Sequence, residues 1–278
     1  MKQTFNSLLN TLPKIDEVNL FRLMADLFNS DSSKATFVKE VHGHKGFVDY
    51  HSNILGSLKQ IEIADLLLIT CNRRNNEIRI CFIQAKHRKG NYRRFLTFKA
   101  NVFQWELLAE KPDVIDNYGA GFPTNILNFS TFESITSFGI FYHDRNGLID
   151  FLYTLPKHIL PRSKKKIQTM DFWGNCICPN SSCLRGKMPN ETISTCSMNI
   201  FKQEALACRI GAPIDSSMRL YLSNLFSSMR KNSSENIELI DEFMGRLDVV
   251  NNDISDDMYQ PNTILLMTDG EEYNKNFG

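Results

Sequence analysis

Two apolar segments separated by a polar turn place the tightest constraint on how this chain folds. Residues 61–70 read IEIADLLLIT, residues 78–85 read IRICFIQA, and CNRRNNE lies between them. A segment that is apolar on both faces is typical of a central strand in a sheet. Two such strands joined by a short polar turn predict an antiparallel hairpin. The sequence therefore predicts a sheet with this hairpin at its centre.

Patterns on both sides of the hairpin predict an α/β fold. Apolar spacing predicts helices over 16–29, 96–110, 218–230 and 236–247, strands over 137–142 and 262–268, and an apolar stretch over 148–155. Residues 35–41 fit either a helical turn or a strand. We expect a core with a mixed central sheet flanked by helices over residues 1–160. Over 161–278 we expect an irregular Cys-containing insertion and C-terminal helices, packed on that core or appended to it, with the last strand able to rejoin the sheet.

Composition excludes several classes of protein. The chain has 278 residues, of which 42% are hydrophobic and 23% charged, and this ordinary globular usage excludes wholesale disorder and fibrous folds. No apolar run approaches the roughly 18 residues that a membrane span needs, and the N-terminus lacks the apolar stretch of a secretory signal. We therefore expect a cytoplasmic protein with no membrane partner. In that compartment the seven cysteines stay reduced and form no disulfide framework.

Charge is unevenly distributed although the net charge is only +1. Between Arg73 and Lys99 there are nine Lys or Arg residues and one acid, whereas between Glu235 and Glu272 there are eleven acids and one base. Such asymmetry predicts a basic working surface and an acidic C-terminal region that could compete for it. The alternative is that each run is only a solvated face.

Asp65 is the residue of the hairpin that most needs an explanation, because burying an unpaired carboxylate among apolar neighbours is costly. Gln84 and Lys86 end the following strand and project to one face of it, since side chains alternate along a strand. A hairpin lays that face beside Asp65. We therefore expect an acid, an amide and an ammonium group to converge at one edge of the sheet.

This combination of groups suits phosphodiester hydrolysis. A carboxylate, a carbonyl oxygen and water form a hard oxygen site that suits Mg²⁺ or Mn²⁺, which would polarise the phosphate and activate an attacking water. Lys86 would position that water and offset negative charge at the phosphorus. Basic residues follow at once and are predicted to bind DNA phosphates: Arg88, Lys89, Arg93 and Arg94.

The segments EIADLLLI, ICFIQAKHRKG and FQWELL together resemble the PD-(D/E)XK nuclease superfamily. The resemblance is to the variant in which Gln replaces the second acid, as in Mrr-type restriction enzymes and antiphage effector nucleases. It spans residues 60–110 and implies a restriction-endonuclease-like core. It also implies that Asp65 binds the metal, that Ala85 offers its backbone carbonyl, and that Lys86 is catalytic beside Gln84. Ala64 stands where many members have Pro.

The family's upstream helical glutamate has three candidates in this chain, Glu17, Glu40 and Glu62, and the sequence leaves all three open.

Four cysteines in the irregular segment suggest a second metal site. Cys176, Cys178, Cys183 and Cys196 are spaced as C-x-C-x₄-C-x₁₂-C, and four thiolates could close a structural Zn²⁺ site. The spacing differs from the usual C-x₂₋₄-C pairs, so ordinary reduced cysteines are the alternative.

Three function classes fit these features. The first is a Mg²⁺-dependent DNA endonuclease acting in antiphage defence or restriction, the second a non-catalytic nucleic-acid-binding or scaffold subunit on the same fold, and the third an RNA-directed nuclease. The intact Asp65 and Lys86 pair favours the first over the second. The sequence contains no Walker loop. We therefore expect a homo-oligomer, or a complex in which a partner ATPase or sensor controls the nuclease.

Overall fold

A computed structural model describes residues 1–29, 35–39, 46–88, 96–117, 119–172, 197–232, 237–247 and 263–268. In these ranges the protein is a mixed α/β fold with a mixed central sheet. The helices are α1 (Lys2–Leu8), α2 (Glu17–Asn29), α3 (Val102–Glu110), α4 (Met198–Leu206), α5 (Ser216–Asn232) and α6 (Ile237–Leu247). None of these helices is long and apolar enough to cross a membrane.

Twelve strands are present in the described ranges. They are β1 (Ala35–Lys39), β2 (Phe47–Ser52), β3 (Ser57–Glu62), β4 (Leu66–Asn72), β5 (Glu77–His87), β6 (Thr97–Asn101), β7 (Thr136–His143), β8 (Ile149–Thr154), β9 (Ile159–Pro161), β10 (Ile167–Phe172), β11 (Ala212–Pro213) and β12 (Thr263–Thr268).

The central sheet has the strand order β1-β12-β4-β5-β7-β8, and β11 pairs with the start of β5. The β4–β5 pair is antiparallel, as the sequence predicts for a hairpin, with Leu66 opposite Ile83. The β5–β7 and β12–β4 pairs are parallel. Strand β12, near the end of the chain, therefore lies between β1 and β4, so residues beyond 160 complete the same sheet.

Two sequence predictions about element boundaries are wrong. The segment 61–70 is not one strand, because β3 ends at Glu62 and β4 begins at Leu66, which leaves Asp65 at the junction. The segment 96–110 is not one helix, because β6 occupies its first part. Side chains of β6 alternate between buried and exposed, and Asn101 then caps α3 by accepting the Phe103 N–H at 3.1 Å. Residues 35–39, which fitted either element, form strand β1.

The other predicted elements are confirmed. Helix α2 occupies 17–29, α5 and α6 occupy the two predicted C-terminal helices, and β7, β8 and β12 occupy the three predicted apolar segments.

The central sheet is buried on both faces. Leu66, Leu68, Ile83 and Ala85 pack under α1, α2 and α4, whereas their neighbours Leu67, Ile69, Ile80 and Phe82 pack with α3, α5 and α6 on the opposite face. Alternating side chains thus contribute to two cores. On β5, Gln84 and Lys86 share the face of Phe82, which is the face that α3 covers.

Two smaller sheets flank α3. Strands β2 and β3 form an antiparallel pair, and β6, β10 and β9 form a three-stranded sheet. The carboxylate of Glu106 joins α3 to the β2–β3 pair. It accepts hydrogen bonds from the Tyr50 hydroxyl at 2.8 Å, the Ser52 hydroxyl at 2.6 Å and the Ile54 N–H at 2.7 Å. Burial, and then the Glu106 carboxylate, raise the pKa of Tyr50, so this hydroxyl remains a donor.

We expect Glu106→Ala to lower the free energy of unfolding by about 3 kcal/mol, because it leaves the buried Ser52 hydroxyl and the Ile54 N–H without this acceptor and leaves the Tyr50 hydroxyl only the Phe103 carbonyl, at 2.9 Å. Tyr50→Phe removes a single donor and should cost about 1 kcal/mol. Urea unfolding measures both values. Glu110→Ala, at the exposed end of the same helix, is the matched control and should change stability by less than about 0.5 kcal/mol. Equal losses of unfolding free energy for Glu106→Ala and Glu110→Ala would contradict the role of Glu106 in joining α3 to the β2–β3 pair.

Candidate active site

The site lies where the chain passes from β3 into β4, beside the end of β5. The Asp65 N–H still donates to the Ile83 carbonyl at 3.2 Å, but the Asp65 carboxylate turns towards β5. Its Oδ2 atom accepts the Ala85 N–H at 2.7 Å and a hydrogen bond from the Gln84 amide. The break between β3 and β4 therefore has a physical reason. The Ala85 N–H, which would otherwise bond to a backbone carbonyl of a continuous strand, bonds to the Asp65 side chain instead.

The Lys86 ammonium completes this group. Its Nζ atom lies 3.9 Å from Asp65 Oδ2, and the two side chains remain 19% and 31% exposed. The hairpin thus brings together Asp65, Gln84 and Lys86, the three side chains whose convergence the sequence predicts. Gln84 is itself buried. Lys86 and Asp65 therefore form an ion pair that lies at the ends of two central strands, β5 and β4, and is reachable from solvent.

Ala85 presents its backbone to the same place. In a strand the N–H and C=O of one residue point to the same side. Because the Ala85 N–H bonds to Asp65, its carbonyl also faces the site, where the Gln84 amide lies 3.5 Å from the oxygen. A carboxylate oxygen and a carbonyl oxygen consequently point into one space.

Gln104 on α3 is a site residue that the sequence analysis did not single out. Its amide donates to the Gln84 carbonyl oxygen and lies 3.4 Å from the Glu62 carbonyl. Gln84 can therefore use its own NH₂ for Asp65. The signal was present in the sequence, because a Gln three residues after the helix cap Asn101, in a largely apolar helix, is a polar group that requires partners when buried.

Glu17, the first residue of α2, approaches from the opposite face of the sheet. Its Oε1 atom accepts the His87 N–H at 3.1 Å, and its charge adds a smaller contribution to the rise in the pKa of Asp65 that burial causes. Gly139 permits this approach, because a Cβ there would lie 2.6 Å from the ring of Phe151 and 3.0 Å from that of Phe21 on α2. Gly139 pairs with Ala85, so close packing brings α2 to the site.

Electrostatics at the site disfavour ionised carboxylates. Burial raises the pKa of Asp65, while Lys86 and the Ala85 N–H oppose that rise. Burial also raises the pKa of Glu62 to about 7, with the Asp65 charge adding to the rise and Lys86 opposing it. Of the three upstream glutamates, Glu17 and Glu62 therefore lie close enough to Asp65 for their charges to interact. Glu40 lies outside the described residues.

The other predicted residues fall into two groups. Arg88 directly follows β5, and its N–H donates to the Phe141 carbonyl at 2.8 Å. Lys89, Arg93 and Arg94 lie outside the described residues, as do the candidate zinc ligands Cys176, Cys178, Cys183 and Cys196.

The basic run does not form one surface. Arg73 and Arg74 lie in the β4–β5 turn, nine or more residues from Lys86 along β5, or roughly 30 Å. There the Arg73 guanidinium donates to both carboxylate oxygens of Glu242 at 2.8 and 2.9 Å. This end of the run stabilises the fold.

The donor set at Asp65 is compatible with a hard divalent cation. Among the described residues no three His, Cys, Asp or Glu side chains lie at metal-binding distances from one another. Mg²⁺, however, is commonly bound by one or two carboxylates together with water. Asp65 and the Ala85 carbonyl supply such oxygens, and a cation would offset the Asp65 charge that, after burial, adds to the rise in the pKa of Glu62.

Comparisons with known proteins yield no assignment: no family model, no curated protein and no solved structure matches this chain. The resemblance to PD-(D/E)XK nucleases therefore remains a prediction carried by the residues quoted for it.

The raised pKa of Glu62 predicts a pH-dependent loss of stability. The folded state keeps its proton up to about pH 7, whereas the unfolded chain releases it near 4.5, so unfolding becomes easier as pH rises through this window. Glu62→Gln removes the titrating group. We expect this variant to match the wild type near pH 4.5 and to exceed it by on the order of 2 kcal/mol at pH 8, a value that partial solvent access reduces.

Urea unfolding in EDTA at both pH values measures this difference, and EDTA prevents stabilisation by a bound cation. Glu110→Gln, an exposed change on α3, controls for the loss of one negative charge. A Glu62→Gln difference that is the same at both pH values would contradict the interpretation.

Proposed function

We propose that the protein is a divalent-cation-dependent endonuclease that hydrolyses phosphodiester bonds in DNA. The observation that carries the proposal is the Lys86 ammonium 3.9 Å from the Asp65 carboxylate, with the Ala85 N–H and the Gln84 amide fixing that carboxylate. A lysine and an acid adjacent at the edge of a sheet form the minimal set of side chains that the PD-(D/E)XK resemblance implies.

Each side chain has a separate role in this proposal. Asp65 and the Ala85 carbonyl are the oxygen ligands of a Mg²⁺ or Mn²⁺ ion, which when bound supplies Lewis-acid polarisation of the phosphate. Lys86 orients the attacking water and neutralises negative charge that grows on the phosphoryl oxygens. Gln104 keeps Gln84 in the orientation that donates to Asp65. Arg88, two residues beyond Lys86, contacts an adjacent phosphate in this proposal.

A role in antiphage defence or restriction follows from the same resemblance. A nuclease in its own cytoplasm must be restrained, and we propose that oligomerisation or a partner ATPase or sensor provides this control. The non-catalytic alternative, a binding or scaffold subunit, has no observation in its favour at the site, because Asp65 and Lys86 are both intact and reachable from solvent.

The decisive experiment is a plasmid-cleavage assay on unmethylated DNA with the purified chain and Mg²⁺ or Mn²⁺. Asp65→Ala and Lys86→Ala should each lower the cleavage rate by about a hundredfold to a thousandfold or more, because each removes a group that acts on the reacting phosphate. Excess EDTA should abolish cleavage by the wild type. Arg74→Ala, at the far end of the same hairpin, is the matched control and should cleave at the wild-type rate.

Circular dichroism and unfolding curves establish that each variant is folded. Cleavage in EDTA, or by either folded site variant, contradicts the proposal. DNA binding without cleavage, under every cation and in the presence of its binding partners, supports the scaffold alternative. Glu17→Gln and Glu62→Gln assayed in parallel identify the upstream acid, since only the participating residue should lower the cleavage rate.

A further inference from the structure

A second basic region, separate from Arg88–Arg94, lies in the turn between β9 and β10. The turn reads RSKKK over residues 162–166, and every one of these residues is exposed. Ser163 shapes the turn, because its hydroxyl donates to the Gln168 side-chain oxygen at 3.0 Å. Lys164, Lys165 and Lys166 have no acidic partner among the described residues. An ordered turn thus presents three adjacent uncompensated charges.

This turn is connected to the candidate active site by direct contacts. The Lys166 carbonyl accepts the N–H of Val102, the first residue of α3, at 2.9 Å. Two residues further along α3, Gln104 bonds to Gln84, which bonds to Asp65. The turn and the site therefore both adjoin the first turn of α3.

The surface between them is also basic. Lys59 lies 5.0 Å above the ring of Phe103, at the start of α3. Lys99 is exposed on β6, opposite Thr169 of β10. The nearest acid on that face, Asp171, is already paired with Arg162 at 2.7 Å. Two further lysines, Lys59 beside the start of α3 and Lys99 beside β10, therefore add positive charge near the turn.

We propose that DNA leaving the active site crosses the start of α3 and binds the Lys164–Lys166 turn through its backbone phosphates. This inference deepens the proposed function and rests on it for the choice of DNA. Each strand of a duplex carries one phosphate per about 3.4 Å of helix axis, so lysines on one turn can contact neighbouring phosphates. Contacts of this kind are independent of sequence and position the substrate. Leu160 and Ile167 flank the turn at 47% and 59% exposure and give it an apolar border.

The test compares two variants that lose three positive charges each. The first is Lys164→Gln, Lys165→Gln and Lys166→Gln combined. The control combines Arg74→Gln, Arg230→Gln and Lys231→Gln, all exposed. Arg74 lies in the β4–β5 turn, next to Arg73. Arg230 pairs with Asp241 on α6, and the next residue of α6, Glu242, pairs with Arg73. The control residues therefore lie at the opposite end of the hairpin from Lys86. Fluorescence anisotropy with a labelled DNA duplex in EDTA, over a series of salt concentrations, measures binding without cleavage.

We expect the lysine-turn variant to bind at least about tenfold more weakly at 0.1 M salt, and its slope of log affinity against log salt to fall by about 2 to 3. The control variant should keep the wild-type slope. Equal changes in both variants, an unchanged slope in the lysine-turn variant, or no DNA binding by the wild type would each overturn the inference. Tighter binding of the corresponding RNA duplex would overturn the choice of DNA.

The inference and the proposed function can fail separately. If the lysine-turn variant loses DNA affinity as expected but the wild type never cleaves DNA, the turn is a DNA-binding surface and the nuclease proposal is wrong. If the wild type cleaves and the lysine-turn variant binds with the wild-type slope, the nuclease proposal survives and the turn is a solvated loop.

Discussion

The antiparallel register of β4 against β5 is the constraint on which the rest of the site depends. With Leu66 opposite Ile83, Asp65 lies beside Gln84 and Ala85, and both strands bury side chains on both faces. A slip of one residue would exchange every inward and outward side chain of β5 and would place Gln84 and Lys86 under α2. Because apolar side chains fill both cores, the register that buries them is also the register that forms the Asp65–Lys86 pair.

Sequence patterns predict the parts of the fold in which burial dominates. The hairpin, α2, α5, α6 and β12 all follow from apolar periodicity. The patterns are wrong where a polar side chain forms a hydrogen bond in place of the backbone. At Asp65 the carboxylate, instead of a backbone carbonyl, accepts the Ala85 N–H, and this interrupts the strand predicted over 61–70. They are also wrong at Thr97–Asn101, where packing of β6 against β10 outweighs an apparent helical spacing. Propensity describes local preference, and tertiary pairing decides both cases.

The candidate site, like the fold, has one part that the sequence predicts and another that depends on tertiary packing. Convergence of Asp65, Gln84 and Lys86 follows from strand alternation within one hairpin, so it could be predicted from a single stretch of sequence. The sequence offers Glu17 only as one of three candidate acids and Gln104 only as a polar residue that needs partners. Their places at the site could not be predicted, because α2 and α3 reach it from opposite faces of the sheet and their positions depend on long-range packing. Gly139 illustrates the reason: its missing side chain admits Phe21 and thus α2, a condition visible only in three dimensions.

The two ends of the β4–β5 hairpin use charge in different ways. At the turn, Arg73 and Arg246 both bind Glu242, so the described part of the acidic C-terminal region neutralises the basic run there. The same region also supplies β12, an apolar strand that completes the sheet beside β4. Glu242 therefore stabilises the fold at the end opposite Lys86, whereas the acids within 248–262 and 269–272 lie outside the described residues. At the Lys86 end, burial raises the pKa of both Asp65 and Glu62, the Asp65 charge adds to the rise for Glu62, and Lys86 opposes the rise for both. A buried acid with a raised pKa lowers stability at a pH where it ionises, and a bound cation would offset that negative charge.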